Sequence, residues 1–174
     1  MGQRTDSFDL ARLQLSPGQG RRLELGVAMG SLDLSGERYP IEPDPVAVTL
    51  DVSRMTGGGW SLRLRLQATT VGPCMRCLEP AAPTFAVDAR EVDQPGGGEE
   101  LDSPYVTPEG ELRLGDWAHD ALALALPAQI LCRPDCAGLC PQCGADLNRD
   151  PDHAHAPPPD PRWAKLRELD LGGD

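Results

Sequence analysis

Two runs of strict alternation constrain this chain most. In Val46-Ala-Val-Thr-Leu-Asp-Val52, apolar residues stand at every second position. After Gly57-Gly58-Gly59, Trp60, Leu62, Leu64 and Leu66 alternate with Ser61, Arg63, Arg65 and Gln67. Side chains on a strand point to opposite faces in turn, so a period of two sorts apolar from polar residues and marks a half-buried strand. Two such runs joined by a glycine-rich turn predict an antiparallel hairpin. A third run, Phe85 to Val92, supplies a neighbouring strand. The expected product is a small antiparallel sheet or a partly open barrel. Arg63 and Arg65 then lie on its polar face, either as solvated charge or as a contact for RNA or a protein partner.

The period changes near residue 114. Leu114, Trp117, Ala118, Ala121, Leu122 and Ala125 recur at three and four residues, the stripe of an amphipathic helix. Asp116 suits its N-cap or first turn, and Pro127 stops it, so a buried helix is expected over 116–126. Leu124 and Leu126 widen the apolar stripe. His119 falls between Ala118 and Asp120 as a structural or surface residue. Upstream, residues 8–16 read as a short strand or helical turn, and Leu23-Glu-Leu25 and Leu32-Asp-Leu34 as short extended pieces. Pro40, Pro43 and Pro45 force an extended, polyproline-like entry to the first alternating run. Residues 93–104 are acidic and glycine-rich, hence a surface loop. Asp160-Pro161 opens a short helix carrying Trp163, Leu166 and Leu169. The fold class is α+β: a core over 8–126, a cysteine-rich segment over 127–148 and a proline-rich tail over 149–174 with its short helix.

Four of the six cysteines fall together, as Cys132-x3-Cys136-x3-Cys140-x2-Cys143-Gly144. Two thiolates two residues apart, with glycine next, allow a tight turn that points both sulfurs at one ion. Cys132 and Cys136 complete a tetrahedral set of four soft ligands with no open position, which fits a structural zinc ion. His153 and His155 follow ten and twelve residues after Cys143 and are alternate ligands, for the same ion or a second one. The remaining pair, Cys74-Met-Arg-Cys77, directly follows the second alternating run. It is either a second knuckle sharing a metal or two thiols packed at a strand end. Disulfides would require an oxidising compartment. Redox chemistry at Cys140 and Cys143 is disfavoured, because a thioredoxin-type pair opens a helix.

Sixteen basic residues against 27 acidic ones give a net charge of −11. Phosphate neutralisation supplies most nucleic-acid affinity, so unaided RNA binding is disfavoured. A protein partner, or RNA contact within a larger assembly, suits the charge better. The opening MGQRTDSFDLARLQL has no apolar export core, and no run approaches membrane-spanning length; a cytoplasmic setting is expected. Gly96-Gly-Gly98 precedes neither a lysine nor a helix, and no serine sits in a nucleophile elbow, so no catalytic residues are assigned. Lys165 is the only lysine.

Taken in order, Cys74-x-Arg76-Cys77-Leu78, the helix closing at Leu126-Pro127, Cys136-x-Gly138-Leu139-Cys140-Pro141-x-Cys143-Gly144 and Asp160-Pro161-Arg162-Trp163 resemble the YceD family. These are the large ribosomal RNA subunit accumulation proteins, formerly known only as a domain of unknown function. The resemblance runs from about Phe8 to Leu169. It implies a non-enzymatic factor in ribosome assembly whose partner is a pre-ribosomal particle or an rRNA-processing protein. Many members carry C-x-C where this chain has His153-x-His155, which keeps metal-binding residue types there. Some keep C-x-R-C without the C-terminal cysteines, which implies a purpose for Cys74 and Cys77 independent of zinc. Two competing functions stay in view: a thiol–disulfide redox protein using Cys74 and Cys77, and a direct RNA-binding module using Arg63, Arg65 and Arg76.

Overall fold

A computed structural model describes residues 5–155. The strands among these residues are β1 (Phe8–Asp9), β2 (Gly20–Val27), β3 (Ser31–Leu34), β4 (Glu37–Glu42), β5 (Val46–Arg54), β6 (Trp60–Thr70), β7 (Gly72–Pro73), β8 (Pro80–Ala81), β9 (Thr84–Asp93) and β10 (Glu111–Leu112). Among the described residues one α-helix, α1, spans Leu114–Ala125. The short helix expected around Trp163, Leu166 and Leu169 lies outside the described residues.

The alternating runs form the expected hairpin. β5 pairs with β6 from Val48↔Leu66 to Arg54↔Trp60, and β9 flanks the other side of β6 from Trp60↔Asp93 to Thr69↔Thr84. β2 adds to the outside of β5, and β4, itself paired with β3, joins the far end of β6 at Ile41↔Thr70. The sheet stays open, with β2 and β9 on separate edges. Val46, Val48, Leu50, Val52, Leu62 and Leu64 are buried on one face. Each such side chain contributes about 1.5–3 kcal/mol by leaving water. Helix α1 touches both β9 and β2, so it lies across that apolar face. Pro40 falls within β4, opposite Ser31, rather than in a polyproline approach. A strand proline needs only that its missing N–H face no ladder partner.

The helix begins two residues earlier than expected, and Asp116 sits in its first turn 3.4 Å from Arg113 rather than at the cap. Leu114, Trp117, Ala118, Ala121 and Leu122 are buried. The widened stripe does not hold: Leu124 is 87% exposed and Leu126 half-buried. The final turn, Ala123 to Ala125, is exposed all round, so the helix outruns what covers it among the described residues. Phe8 pairs with Leu112, anchoring the start of the chain beside the helix entrance. His119 places Nε2 3.3 Å from the Ser31 carbonyl, a structural position.

The polar sheet face is a ladder of charge. Asp51 accepts from Arg22 at 2.6 Å and from Arg65 at 2.7 Å, and Asp88 takes Arg63 in a two-bonded fork at 2.7 and 2.5 Å. Arg63 and Arg65 therefore have their guanidinium groups engaged across the strands.

The chain divides into two compact units, the first running to Cys136 and the second beginning at Ala137.

Candidate metal centres

Strand β6 leads through β7 into a tight turn, and β8 leads out of it; β7 and β8 pair at Gly72↔Ala81 and Pro73↔Pro80. Within the turn the Cys74 N–H donates to the Glu79 carbonyl at 2.8 Å, and the Leu78 N–H to the Cys74 carbonyl at 3.0 Å. Leu78 takes a left-handed backbone, φ 63°. In the second unit the Cys140 N–H donates to Ala145 at 2.8 Å, the Gly144 N–H to Cys140 at 2.8 Å, and Gly144 has φ 75°. The two C-x2-C elements are thus the same local structure. Both aim a pair of sulfurs to one side of a tight turn. Glycine advertises the second in the sequence, whereas leucine conceals the first.

The six cysteines do not gather as one four-thiolate set from Cys132 to Cys143. Cys132 and Cys136 lie with Cys74 and Cys77, and Cys140 and Cys143 lie with His153 and His155. In each group the four ligand atoms are all within 4.8 Å of one another. In the first group, Cys74 and Cys136 sulfurs are 3.8 Å apart and Cys77 and Cys132 sulfurs 3.6 Å. Four sulfurs arranged tetrahedrally at about 2.3 Å from zinc stand about 3.8 Å apart, whereas a disulfide would bring two to about 2.05 Å. No disulfide joins any of the six cysteines.

Residues between the cysteines hold the first group together. The Met75 N–H donates to the Ile130 carbonyl at 2.8 Å. Arg76 donates from Nε to Gln129 at 2.9 Å and from Nη1 to the Cys136 carbonyl at 3.1 Å. Arg76 is thus a clamp on the segment that brings Cys132 and Cys136. In the sequence it stood as a candidate RNA contact; it is exposed, yet both ends of its guanidinium group are engaged, and the signal was its place inside the C-x-R-C motif.

The electrostatics are those of crowded sulfurs. Burial raises the Cys74 thiol, yet backbone hydrogen bonds from Arg76 and Cys77 outweigh it and bring the thiol down to about 6. Cys77 has the Glu79 backbone favouring its thiolate, but burial and the sulfurs of Cys136, Cys74 and Cys132 push it up to about 12. Burial, with Cys136 and Cys74 alongside, also pushes up Cys132. One thiolate forms readily and penalises the next, until a cation sits among them. In the second group, backbone hydrogen bonds from Gln142 and Cys143 bring Cys140 down to about 6, with His155 and His153 assisting.

A family model for the large ribosomal RNA subunit accumulation protein YceD matches residues 62–170. The chain belongs to the YceD family. The matched span contains all six cysteines and both histidines of the two groups. Among YceD-family relatives, a protein of Zea mays named as a chloroplastic YCED homolog 1 is 28% identical over 180 aligned positions, covering 82% of this chain and 58% of the maize protein. Uncharacterized proteins of Mycobacterium tuberculosis and Mycobacterium bovis are 39% identical over 110 residues, covering 59% of this chain and 51% of theirs. The chain thus spans about half the length of these mycobacterial relatives. No solved structure matches it. The family's name ties it to accumulation of large-subunit ribosomal RNA, and the two groups have the donor chemistry to hold metal ions. No helix among the described residues is long and apolar enough to cross a membrane.

Proposed function

We propose that this protein is a non-enzymatic accessory factor for accumulation or processing of large-subunit ribosomal RNA. In this reading it acts in the cytoplasm through a pre-ribosomal particle or an rRNA-processing protein, with a structural zinc ion at Cys74, Cys77, Cys132 and Cys136. The observation that carries the reading is the family match over residues 62–170. The net charge of −11 and the engagement of Arg63 and Arg65 by Asp88 and Asp51 favour a protein-mediated route to the particle over unaided RNA binding. A closed set of four sulfurs leaves a metal no position for water, so such an ion holds the fold rather than activating a substrate.

One observation favours the redox alternative: a Cys74 thiol at about 6 is the mark of a reactive cysteine. Cys74 is fully buried, however, and a redox cysteine must meet its partner in solvent. The same lowered thiol serves a metal ligand, which binds as thiolate.

The test is depletion of the protein, with large-subunit rRNA and its precursors measured and a tagged copy followed through a sucrose gradient. The expected result is a deficit of large-subunit rRNA and co-sedimentation with large-subunit precursors. Normal rRNA together with no such association would overturn the assignment. Rapid alkylation of Cys74 in the metal-loaded protein would revive the redox reading.

A further inference from the structure

We infer that Cys140, Cys143, His153 and His155 form a second, independent zinc site. It has two sulfur and two nitrogen ligands, and it is the more exchangeable of the two.

The His155 Nε2 lies 3.1 Å from the Cys140 sulfur, the His153 Nε2 3.2 Å from the Cys143 sulfur, and the two Nε2 atoms 2.9 Å from each other. Four donors on four residues converge from two directions, a knuckle on one side and a His-Ala-His segment on the other. Two imidazoles that turn the same ring nitrogen toward each other and toward two sulfurs are all satisfied at once by a single cation between them, whereas hydrogen bonds alone would require the two rings to take opposite tautomers. Tetrahedral coordination by two thiolates and two imidazoles is the geometry of zinc. The His153 ring has a further partner: its Nδ1 stands 3.6 Å from the Asp150 carboxylate, while Nε2 faces the sulfurs. A carboxylate on that side of the ring favours a proton on Nδ1 and leaves Nε2 to ligate.

The architecture of the unit supplies an independent argument. From Ala137 to His155 it has no helix and a single bridge, Leu139↔Asp146. Among its described residues, Cys140 is the only buried apolar side chain. Its order rests on local bonds such as Ala137 N–H to Asn148 at 2.8 Å and Leu147 N–H to Gly138 at 3.0 Å. A stretch whose described residues hold so little apolar burial gains its order from a staple. The thiols are free, and the four-donor group is the staple at hand.

Exposure sets the order of exchange. In the first group Cys74, Cys77 and Cys136 are buried and Cys132 alone is exposed, whereas in the second only Cys140 is buried and both Cys143 and His155 are exposed. An incoming chelator meets exposed ligands from both arms of the second group, but at the first only Cys132, with the other three sulfurs held until the core opens.

The experiment uses the full chain, purified reduced and zinc-loaded, with zinc counted per protein and its release to a colorimetric chelator followed in time. The expected count is two, released in a fast and a slow phase. His153→Ala/His155→Ala lowers the count to one and removes the fast phase, with the near-ultraviolet spectrum of the core retained. Cys74→Ser/Cys77→Ser removes the slow phase instead. Replacing both histidines by cysteine restores the count to two, and with cobalt as probe it raises the thiolate charge-transfer absorption of that site about twofold.

Two ions persisting in the double-alanine variant would overturn the inference. So would loss of the slow phase there, or a single wild-type ion that only the Cys74/Cys77 variant removes, which leaves the first site standing. A single ion lost with the histidines alone would support the second site and refute the first. A single ion lost with Cys132, Cys136, Cys140 or Cys143, yet kept without Cys74 or the histidines, would refute both.

Discussion

The twin knuckles permit a comparison within one chain. Gly144, at φ 75°, follows the second cysteine of its turn, and Leu78, at φ 63°, holds the matching place in the other. A Cβ built on Gly144 meets nothing within 4 Å, so Gly144→Ala adds backbone strain without a clash. Left-handed backbone costs an L-residue about 1–2 kcal/mol. Alanine returns about 0.4–1 kcal/mol by restricting the unfolded chain. The net loss is about 1 kcal/mol, or roughly fivefold in an equilibrium constant. Because the second unit is expected to order on its metal, that loss should appear as weaker zinc binding at Cys140, Cys143, His153 and His155.

Leu78→Gly runs the same terms backwards. It relieves about 1–2 kcal/mol of strain and gives up about 0.4–1 kcal/mol in chain entropy. The leucine is 67% exposed, so losing it forfeits only about a third of a full burial, roughly 0.5–1 kcal/mol. The terms cancel to within about 1 kcal/mol, and the first site should keep its affinity. Competitive zinc titration against a fluorescent chelator measures both variants on the reduced full chain. The reasoning fails if Gly144→Ala binds as tightly as the parent, or if Leu78→Gly weakens zinc more than Gly144→Ala does.

Arg76→Ala removes hydrogen bonds to Gln129 and the Cys136 carbonyl and should cost about 1–2 kcal/mol, with lysine a poor substitute for the two-pronged donor; thermal unfolding of both variants checks this. The Arg22 hydrogen bond, aided by Arg65, holds the Asp51 carboxyl below its usual range. A depressed folded value means that its stabilisation is present above about pH 4, the unfolded value, and is lost as pH falls through the folded one. Denaturation of the parent and Asp51→Asn from neutral to acid pH should therefore show a stability difference that shrinks on acidification; a constant difference would refute the linkage. Leu50→Ala, fully buried between β2 and β6, should cost about 2–5 kcal/mol in denaturant unfolding, whereas Leu124→Ala on the exposed last turn should change stability by less than about 0.5 kcal/mol.

The sheet was legible because alternation is a local signal with a physical cause. Val46 to Val52 and Trp60 to Leu66 lie where the pattern puts them, and the third run became β9. The helix stripe likewise foretold Leu114, Trp117, Ala118, Ala121 and Leu122. It misjudged the last turn because periodicity says which side of a helix is apolar, not how far a covering sheet extends. The cysteine types and spacings announced metal chemistry, but their division did not follow from nearness along the chain. Cys132 sits 8 residues from Cys140 in sequence, yet it stands with Cys77, 55 residues away. The pairing of Phe8 with Leu112 was hidden for the same reason. Arg76 went unread as a clamp because its partners are brought by a segment beyond the helix.

That distance bears on how the molecule comes into being. The first group joins Cys77 to Cys132 and Cys74 to Cys136, positions 55 and 62 residues apart, with β9 and α1 in the enclosed loop. Contacts of such long range form late, because the chain must first bear the entropy of closing the loop. Four sulfurs from both ends of it meet only once strand and helix are seated, so the group reports a finished core. The second group closes over a sequence separation of only 15, from Cys140 to His155. It is complete as soon as that short stretch is free of the machine that made it.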